Sequence, residues 1–104
     1  MKCKNATGFI TIIGNPMRNY QTGLKVGDRV TLIKEPNNPV DLEAIKIMSR
    51  NEQVAYVANS VNTVAMGTMS AGRLYDRIDD GHKAVVKFVH ERVIIAEVEF
   101  CSGC

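Results

Sequence analysis

The hydrophobic pattern of this chain consists of short β-branched and alternating runs, which predict strands rather than long helices. Residues 8–14 form a nearly continuous apolar run, typical of a strand that is partly covered on both faces. Residues 29–34 and 44–49 alternate apolar with polar side chains, as half-buried strands do. Residues 53–57 follow a short polar connection, so we expect 44–49 and 53–57 to form an antiparallel hairpin.

Two further strands are predicted near the end of the chain, over residues 84–90 and 93–100. Glu91 and Arg92 separate them and are expected to form a turn or a bulge. Strict alternation in the first of these strands assigns three side chains to one face: Val86, Phe88 and His90. In the second strand one face is predicted to hold Ile94, Ala96, Val98 and Phe100.

Between these groups of strands the apolar period changes to that of a helix. Asn59 or Ser60 is a suitable N-cap for the first helical turn. The helical spacing continues at two sets of positions: Val61, Val64, Ala65 and Thr68, then Ala71, Leu74, Tyr75 and Ile78. We therefore expect two short helices, or one helix broken near Ser70, followed by a turn at residues 79–81.

Six short strands with one short helical insertion indicate a mainly β fold, a small antiparallel sheet that curls into a six-stranded β-barrel. The length of 104 residues suggests a single domain over residues 1–104. The hydrophobic content of 45% is ordinary for a globular protein and is sufficient for a modest core.

Charge, hydropathy and cysteine content bear on the partners of the protein and on its cellular compartment. The formal net charge of +2 neither requires nor excludes a polyanionic partner. No apolar run is long enough to span a membrane, and residues 1–5 do not lead into the apolar segment of a secretory signal. The three cysteines build no disulfide framework, so we expect a cytoplasmic protein.

The motifs needed for catalysis or for a bound cofactor do not occur in the sequence. There is no glycine-rich phosphate loop, and the serines lack a nucleophile-elbow context. His82 and His90 are not at metal-ligand spacing with another histidine or a cysteine. Cys101 and Cys104 form a CxxC pair. Two interpretations of this pair are an exposed tail and half of an intermolecular zinc site. We expect no enzyme activity, no cofactor and no metal.

Two loops carry the side chains with binding potential. The turn after residue 34 holds two prolines, two asparagines and a carboxylate, and its prolines should make it stiff. The loop over residues 15–23 adds a cation and an aromatic ring. Cations can hold phosphate, an aromatic ring can stack on a base, and a carboxylate can accept from a hydroxyl or an amine. The candidate residues are Arg18, Tyr20, Lys34, Asn37, Asn38 and Asp41.

The same residues can also have a purely structural role. Turns built from proline and asparagine are common connections between strands, and they need no ligand. Tyr20 can pack over the mouth of the barrel while Arg18 is solvated, because loop aromatics often cap a core.

The stretch over residues 32–47 resembles the hallmark of the HIRAN domain family. It reads Leu-Ile-Lys-Glu-Pro-Asn-Asn-Pro-Val-Asp-Leu-Glu-Ala-Ile-Lys-Ile, in which a basic-acidic-proline run is followed by Asn38, Asp41 and Ala44 at the spacing of that family. Ile13 and Gly14 precede an Arg-x-Tyr loop, and residues 53–57 match the strand that the family places before a helix. The resemblance covers residues 8–100 and leaves 101–104 as a tail.

This resemblance implies an OB-like β-barrel that binds single-stranded DNA and captures free 3′ ends in DNA repair or replication-fork processing. By position, Asp41 would accept from the terminal 3′-hydroxyl, Arg18 would hold a phosphate and Tyr20 would stack on a base or wall the pocket. Asn37, Asn38, Tyr56 and Asn59 would shape the turn and complete the pocket. A helicase or nuclease would be the protein partner, and no membrane is implied.

Three positions depart from the pattern of the family. Val40 stands where end-binding members carry an aromatic residue, which removes a stacking partner worth ~1–3 kcal/mol. Asn19 replaces a second frequent aromatic residue, and Ala55 replaces a glycine. We expect a non-catalytic single-stranded DNA-binding module with micromolar or weaker affinity. The alternative is a protein-interaction module that keeps the fold without binding DNA.

Overall fold

The computed structural model of the protein describes residues 5–60 and 62–101. It contains six strands: β1 (Asn5–Gly14), β2 (Arg29–Lys34), β3 (Ile45–Ser49), β4 (Glu52–Val57), β5 (His82–His90) and β6 (Val93–Cys101). One short helix, α1 (Ala71–Leu74), continues into a 3-10 helix at Tyr75–Arg77, and a second 3-10 helix spans Pro16–Arg18. Within these residues, no helix combines the length and the apolar character that crossing a bilayer requires.

The strands close into a barrel in the order β1-β4-β3-β2-β5-β6, with β6 returning to β1. Every pair of neighbouring strands is antiparallel. The predicted fold class, a small OB-like six-stranded antiparallel β-barrel with a short helical insertion, is therefore confirmed.

Alternation along the strands fills the interior of the barrel. Strand β1 contributes Ile10 and Ile12, and β3 contributes Ile45 and Ile47, all with no exposed surface. Leu74 of α1 is also completely buried and joins the same cluster. Each such side chain stabilises the fold by about 1.5–3 kcal/mol relative to an exposed position.

The face prediction for β5 is wrong beyond Val86, because the strand contains a β-bulge. Val86 pairs with Ala96 and Phe88 with Ile95, so two steps along β5 match one step along β6. The extra residue moves the following side chains to the other face of the sheet. Val86 is completely buried, whereas Phe88, predicted to share its face, is 50% exposed.

The first predicted helical segment is also wrong for the residues that the structure describes. Residues 62–68 form turns, and Val61 lies outside the described residues. The hydroxyl of Thr11 in β1 accepts from the amide of Ala65 at 3.0 Å and pairs with the hydroxyl of Thr68 at 2.8 Å. These long-range bonds replace helical ones, and Gly67 adopts a left-handed φ of 89°. The second segment is confirmed as α1, with Ser70 as its N-cap.

We expect Thr11→Val to destabilise the protein, because Thr11 is 5% exposed and the substitution leaves the Ala65 amide without its acceptor. The loss in unfolding free energy should be about 1–3 kcal/mol, measured by urea denaturation. Thr7→Val, at an exposed position of the same strand, serves as the control and should change little. Equal stability of the two variants would contradict the role given to the Thr11 hydroxyl.

Candidate functional site

Asn38 organises the turn between β2 and β3. Its side-chain oxygen accepts from the amides of Val40 at 2.9 Å and Asp41 at 3.0 Å, and its amide group donates to a Glu35 carboxylate oxygen at 3.2 Å. The Glu35 amide donates to the Ala44 carbonyl at 2.8 Å and closes the base of the turn. Asn38 therefore shapes this turn. Asn37 is exposed beside it.

Asp41 links the turn to two other elements. One carboxylate oxygen accepts from the Glu43 amide at 2.9 Å, and the other accepts from the side-chain amide of Asn59 at 2.8 Å. The side-chain oxygen of Asn59 in turn accepts from the Gly72 amide of α1 at 2.8 Å. Because a carboxylate oxygen has two lone pairs, each oxygen of Asp41 retains capacity to accept one more hydrogen bond.

The approach of α1 to this pair depends on a glycine. A Cβ atom at Gly72 would lie 2.6 Å from a carboxylate oxygen of Glu43 and 3.2 Å from the side-chain oxygen of Asn59. We call Asp41, Glu43, Asn59 and Gly72 the Asp41 cluster. Its two carboxylates make it an acceptor-rich, negatively charged site. Glu43 and Gly72 are not recognisable as site residues from the sequence, because only the folded chain brings α1 to the turn.

Lys34 lies at the end of β2. Its ammonium group sits 4.8 Å from the centroid of the Tyr75 ring. Its backbone amide donates to a carboxylate oxygen of Asp80 at 2.8 Å. A cation over an aromatic ring at such a site contributes about 0.5–1 kcal/mol, so Lys34 packs against the helical segment as well as carrying charge.

Arg18 ends the 3-10 helix that Asn15 caps, since the side-chain oxygen of Asn15 accepts from the Met17 amide at 2.9 Å. Arg18 pairs with Glu52, the first residue of β4, at 3.3 Å. The two side chains are 40% and 65% exposed, so the pair contributes about 0–1 kcal/mol. A weak exposed pair leaves the guanidinium able to exchange Glu52 for another anion.

Tyr20 follows in a left-handed conformation, with φ of 62°, directly after Asn19 with φ of 57°. The bend passes close over Gly14, where a Cβ atom would lie 2.1 Å from the Tyr20 carbonyl oxygen. The guanidinium of Arg92, in the β5–β6 turn, lies 5.1 Å from the centroid of the Tyr20 ring. We call Arg18, Tyr20 and Arg92 the Tyr20 cluster.

A groove of about 820 Å³ opens beside the Tyr20 cluster. Its walls are the β1–β2 loop, the β5–β6 turn and the segment that contains Thr63 and Ala65. From the sequence, Arg92 is recognisable only as a residue of the turn or bulge between two strands. No spacing in the sequence connects it with Tyr20, because barrel closure alone brings the two loops together.

Four of the predicted site residues, Arg18, Asp41, Tyr56 and Asn59, are distributed along β4. Arg18 contacts Glu52 at the start of this strand, and Asn59 and Asp41 lie just beyond its end. Tyr56 lies between them, half-buried and paired with Lys46 of β3 and Ile13 of β1. Seven residue steps separate Glu52 from Asn59, so Arg18 lies about 20 Å from the Asp41 cluster, from the ~3.3 Å rise per strand residue. Tyr20 lies nearer, because it passes over Gly14, which pairs with Ala55.

In residues 5–60 and 62–101, no group of three or more histidine, cysteine, aspartate or glutamate side chains is placed to hold a metal ion. A ring nitrogen of His82 is hydrogen bonded to the Glu99 carbonyl oxygen. Of the CxxC pair, Cys104 lies outside the described residues, and only the backbone of Cys101 is described.

Comparison with known proteins supports the fold. No protein-family model matches the chain, and no curated protein matches it. The chain is similar to a structural-genomics crystal structure of a protein from Lactobacillus plantarum, with a TM-score of 0.60 and 16% sequence identity. The similarity covers 93% of this chain and 97% of the other, so both share the barrel over almost their whole length.

We expect Asn59→Ala to loosen the Asp41 cluster, because it removes the donor to Asp41 and the acceptor for Gly72 together. The unfolding free energy should fall by about 1–3 kcal/mol, measured by chemical denaturation. Asn62→Ala, at an exposed neighbouring position, is the control and should leave it nearly unchanged. If the free energy of unfolding of Asn59→Ala equals that of the unaltered protein, these hydrogen bonds do not hold α1 to the turn.

Proposed function

We propose that this chain is a non-catalytic module that binds single-stranded DNA and recognises a free 3′ end. The observation that carries the proposal is the arrangement along β4. An acceptor-rich cluster lies at one end, the half-buried ring of Tyr56 in the middle, and two arginines with an aromatic ring at the other end. The resemblance of residues 32–47 to the HIRAN hallmark supports the same interpretation.

The Asp41 cluster suits a terminal hydroxyl group. Asp41 is partly exposed and keeps lone pairs for a further donor, while its existing hydrogen bonds hold it in place. The carboxylates of Asp41 and Glu43 would repel a 3′-phosphate, because like charges in close proximity are destabilising. A strand that ends in a free hydroxyl should therefore bind better than one that ends in a phosphate.

The Tyr20 cluster suits the part of the DNA strand that lies further from the 3′ end. Arg18 can exchange its exposed carboxylate partner for a phosphate, and a phosphate accepts charge-assisted hydrogen bonds from a guanidinium. Tyr20 is 44% exposed, and its ring offers a surface on which a base can stack. The distance of about 20 Å from Arg18 to the Asp41 cluster fits the few nucleotides that one OB-type domain covers.

Affinity should be modest. Val40, which stands where end-binding members of the HIRAN family carry an aromatic residue, is 93% exposed at the tip of its turn. Its side chain has no ring to stack on a terminal base, so one source of ~1–3 kcal/mol is missing. We infer micromolar or weaker binding, with the domain acting in the cytoplasm beside a helicase or nuclease in DNA repair or replication-fork processing.

The proposal predicts a preference for a free 3′-hydroxyl over a 3′-phosphate in fluorescence anisotropy with a short labelled strand. Asp41→Ala should abolish the preference, because it removes the acceptor, whereas Asp76→Ala at an exposed helical position should retain it. Equal binding of both ends by the unaltered protein would indicate a general single-strand groove. Absence of binding at low salt would contradict the proposal, since phosphate contacts are strongest there.

Stacking can be tested separately at Tyr20. We expect Tyr20→Ala to weaken binding by about 1–3 kcal/mol and Tyr20→Phe to retain most of the affinity, because the ring rather than the hydroxyl contacts the base. Circular dichroism of both variants checks that the fold is intact. Equal affinity of Tyr20→Ala and Tyr20→Phe would remove this residue from the site.

A second candidate function is a protein-interaction module, which an exposed apolar patch favours. Phe9, Phe88 and Val93 are 40%, 50% and 44% exposed on the outer face of β1, β5 and β6, and Met66 adjoins them without cover. Patches of this kind occur at protein interfaces. Sedimentation that changes with concentration, together with no DNA binding at low salt, would favour this candidate.

A further inference from the structure

Another concavity lies on the outer face of β2, β3 and β5, and no residue of either cluster lines it. It measures about 430 Å³ and is surrounded by three cationic side chains, those of Arg29, Arg50 and Lys83. Thr31, Ile33 and Met48 also line it. The proposed function makes no use of these residues.

Strand pairing sets the geometry of these cations. Thr31 of β2 pairs with Met48 on one side and with Lys83 on the other. The ammonium group of Lys83 donates to the Thr31 hydroxyl at 2.5 Å, which holds it over the sheet. An ammonium group has three donors, so two remain for an anion in the concavity.

These charges are not neutralised within the described chain. The ion pairs found among residues 5–60 and 62–101 engage Arg18 with Glu52 and Lys87 with Glu97. In the same residues no carboxylate lies within 4.0 Å of the charged nitrogens of Arg29, Arg50 or Lys83. Three cations without a carboxylate partner therefore surround one concavity and make it a locally positive site. The overall net charge of +2 gives no indication of this local concentration of charge.

Arg50 occupies a backbone position that disfavours arginine. Ser49 pairs with Glu52, so Arg50 and Asn51 form a two-residue hairpin turn, with φ of 52° and 67°. Turns of this type favour asparagine or glycine at both positions, because a side chain such as arginine is strained at positive φ. A strained residue whose charge faces a cationic concavity points to a role in binding.

We propose that this basic concavity binds the phosphodiester backbone of a single DNA strand, beyond the segment held along β4. The inference rests on the proposed function and extends its path. Arg50 lies two residues before Glu52, to which Arg18 is paired, so the concavity adjoins the Tyr20 end of that path. A strand with its 3′ end at Asp41 therefore reaches the concavity with its 5′ portion.

The experiment compares oligothymidylates of roughly 4 and roughly 12 nucleotides, each with a free 3′-hydroxyl, by anisotropy between about 50 and about 200 mM salt. The test variant is Arg29→Gln combined with Lys83→Gln. The control is Arg77→Gln combined with Lys87→Gln, which removes the same charge outside the concavity. Arg77 faces the Phe100 ring and Lys87 is already paired with Glu97.

The unaltered protein should bind the long strand more tightly than the short one. The test variant should lose this gain and keep its affinity for the short strand, while the control keeps both. Two phosphate contacts correspond to a salt slope of about 1.4, so the unaltered protein should lose about 7-fold more affinity for the long strand than the test variant over that salt range.

Arg50→Asn supplies an independent readout. It should raise the melting temperature, because asparagine tolerates the left-handed turn position, and it should weaken binding of the long strand. Unchanged binding of the long strand by both Arg29→Gln/Lys83→Gln and Arg50→Asn would overturn the inference, as would equal binding of both lengths by the unaltered protein. Failure to bind either length would instead overturn the proposed function.

Discussion

Closure of the barrel at β1 is the constraint on which the rest of the structure depends. Ile12 is paired on both sides, with Val57 of β4 and with Ile94 of β6, and its side chain is completely buried. Closure removes both open sheet edges, which would otherwise invite pairing with other chains. It also fixes where the loops meet, because the β1–β2 loop must emerge beside the start of β4 and against the β5–β6 turn.

The arrangement of the proposed site follows from that closure. Each end of β4 receives polar groups from a loop distant in sequence: Arg18 at Glu52, and Asp41 at Asn59. The Asp41 side is fixed by directional hydrogen bonds that continue to Gly72 of α1. The Tyr20 side relies on an exposed ion pair and on stacking with Arg92, which are weaker and exchangeable. One end is preorganised and the other is adaptable, which is what the proposed binding of a flexible DNA strand requires.

The strands could be predicted from the sequence because alternation and β-branched runs act locally. Residues 29–34 were predicted with the bounds that β2 has, and the turn at Arg50 and Asn51 follows from the polar break between two alternating runs. The segment around Ala65 could not be predicted, because its helical spacing is overridden by the hydroxyl of Thr11, far away in sequence. The bulge between Val86 and Phe88 was likewise hidden, since it is set by pairing with β6.

The residues of the candidate site also divide into those that local sequence predicts and those that only the fold brings together. The turn that Asn38 organises could be predicted because its bonds are local, whereas Arg92, Glu43 and Gly72 enter only through contacts between distant elements.

The proposal that a DNA strand lies along β4 is tested most directly by NMR. Amide chemical shifts are mapped on addition of a short oligothymidylate that bears a free 3′-hydroxyl. The account predicts shifts at Asp41, Tyr56 and Arg18 together. Shifts confined to the apolar patch around Phe9 and Phe88, or none at all, would contradict it.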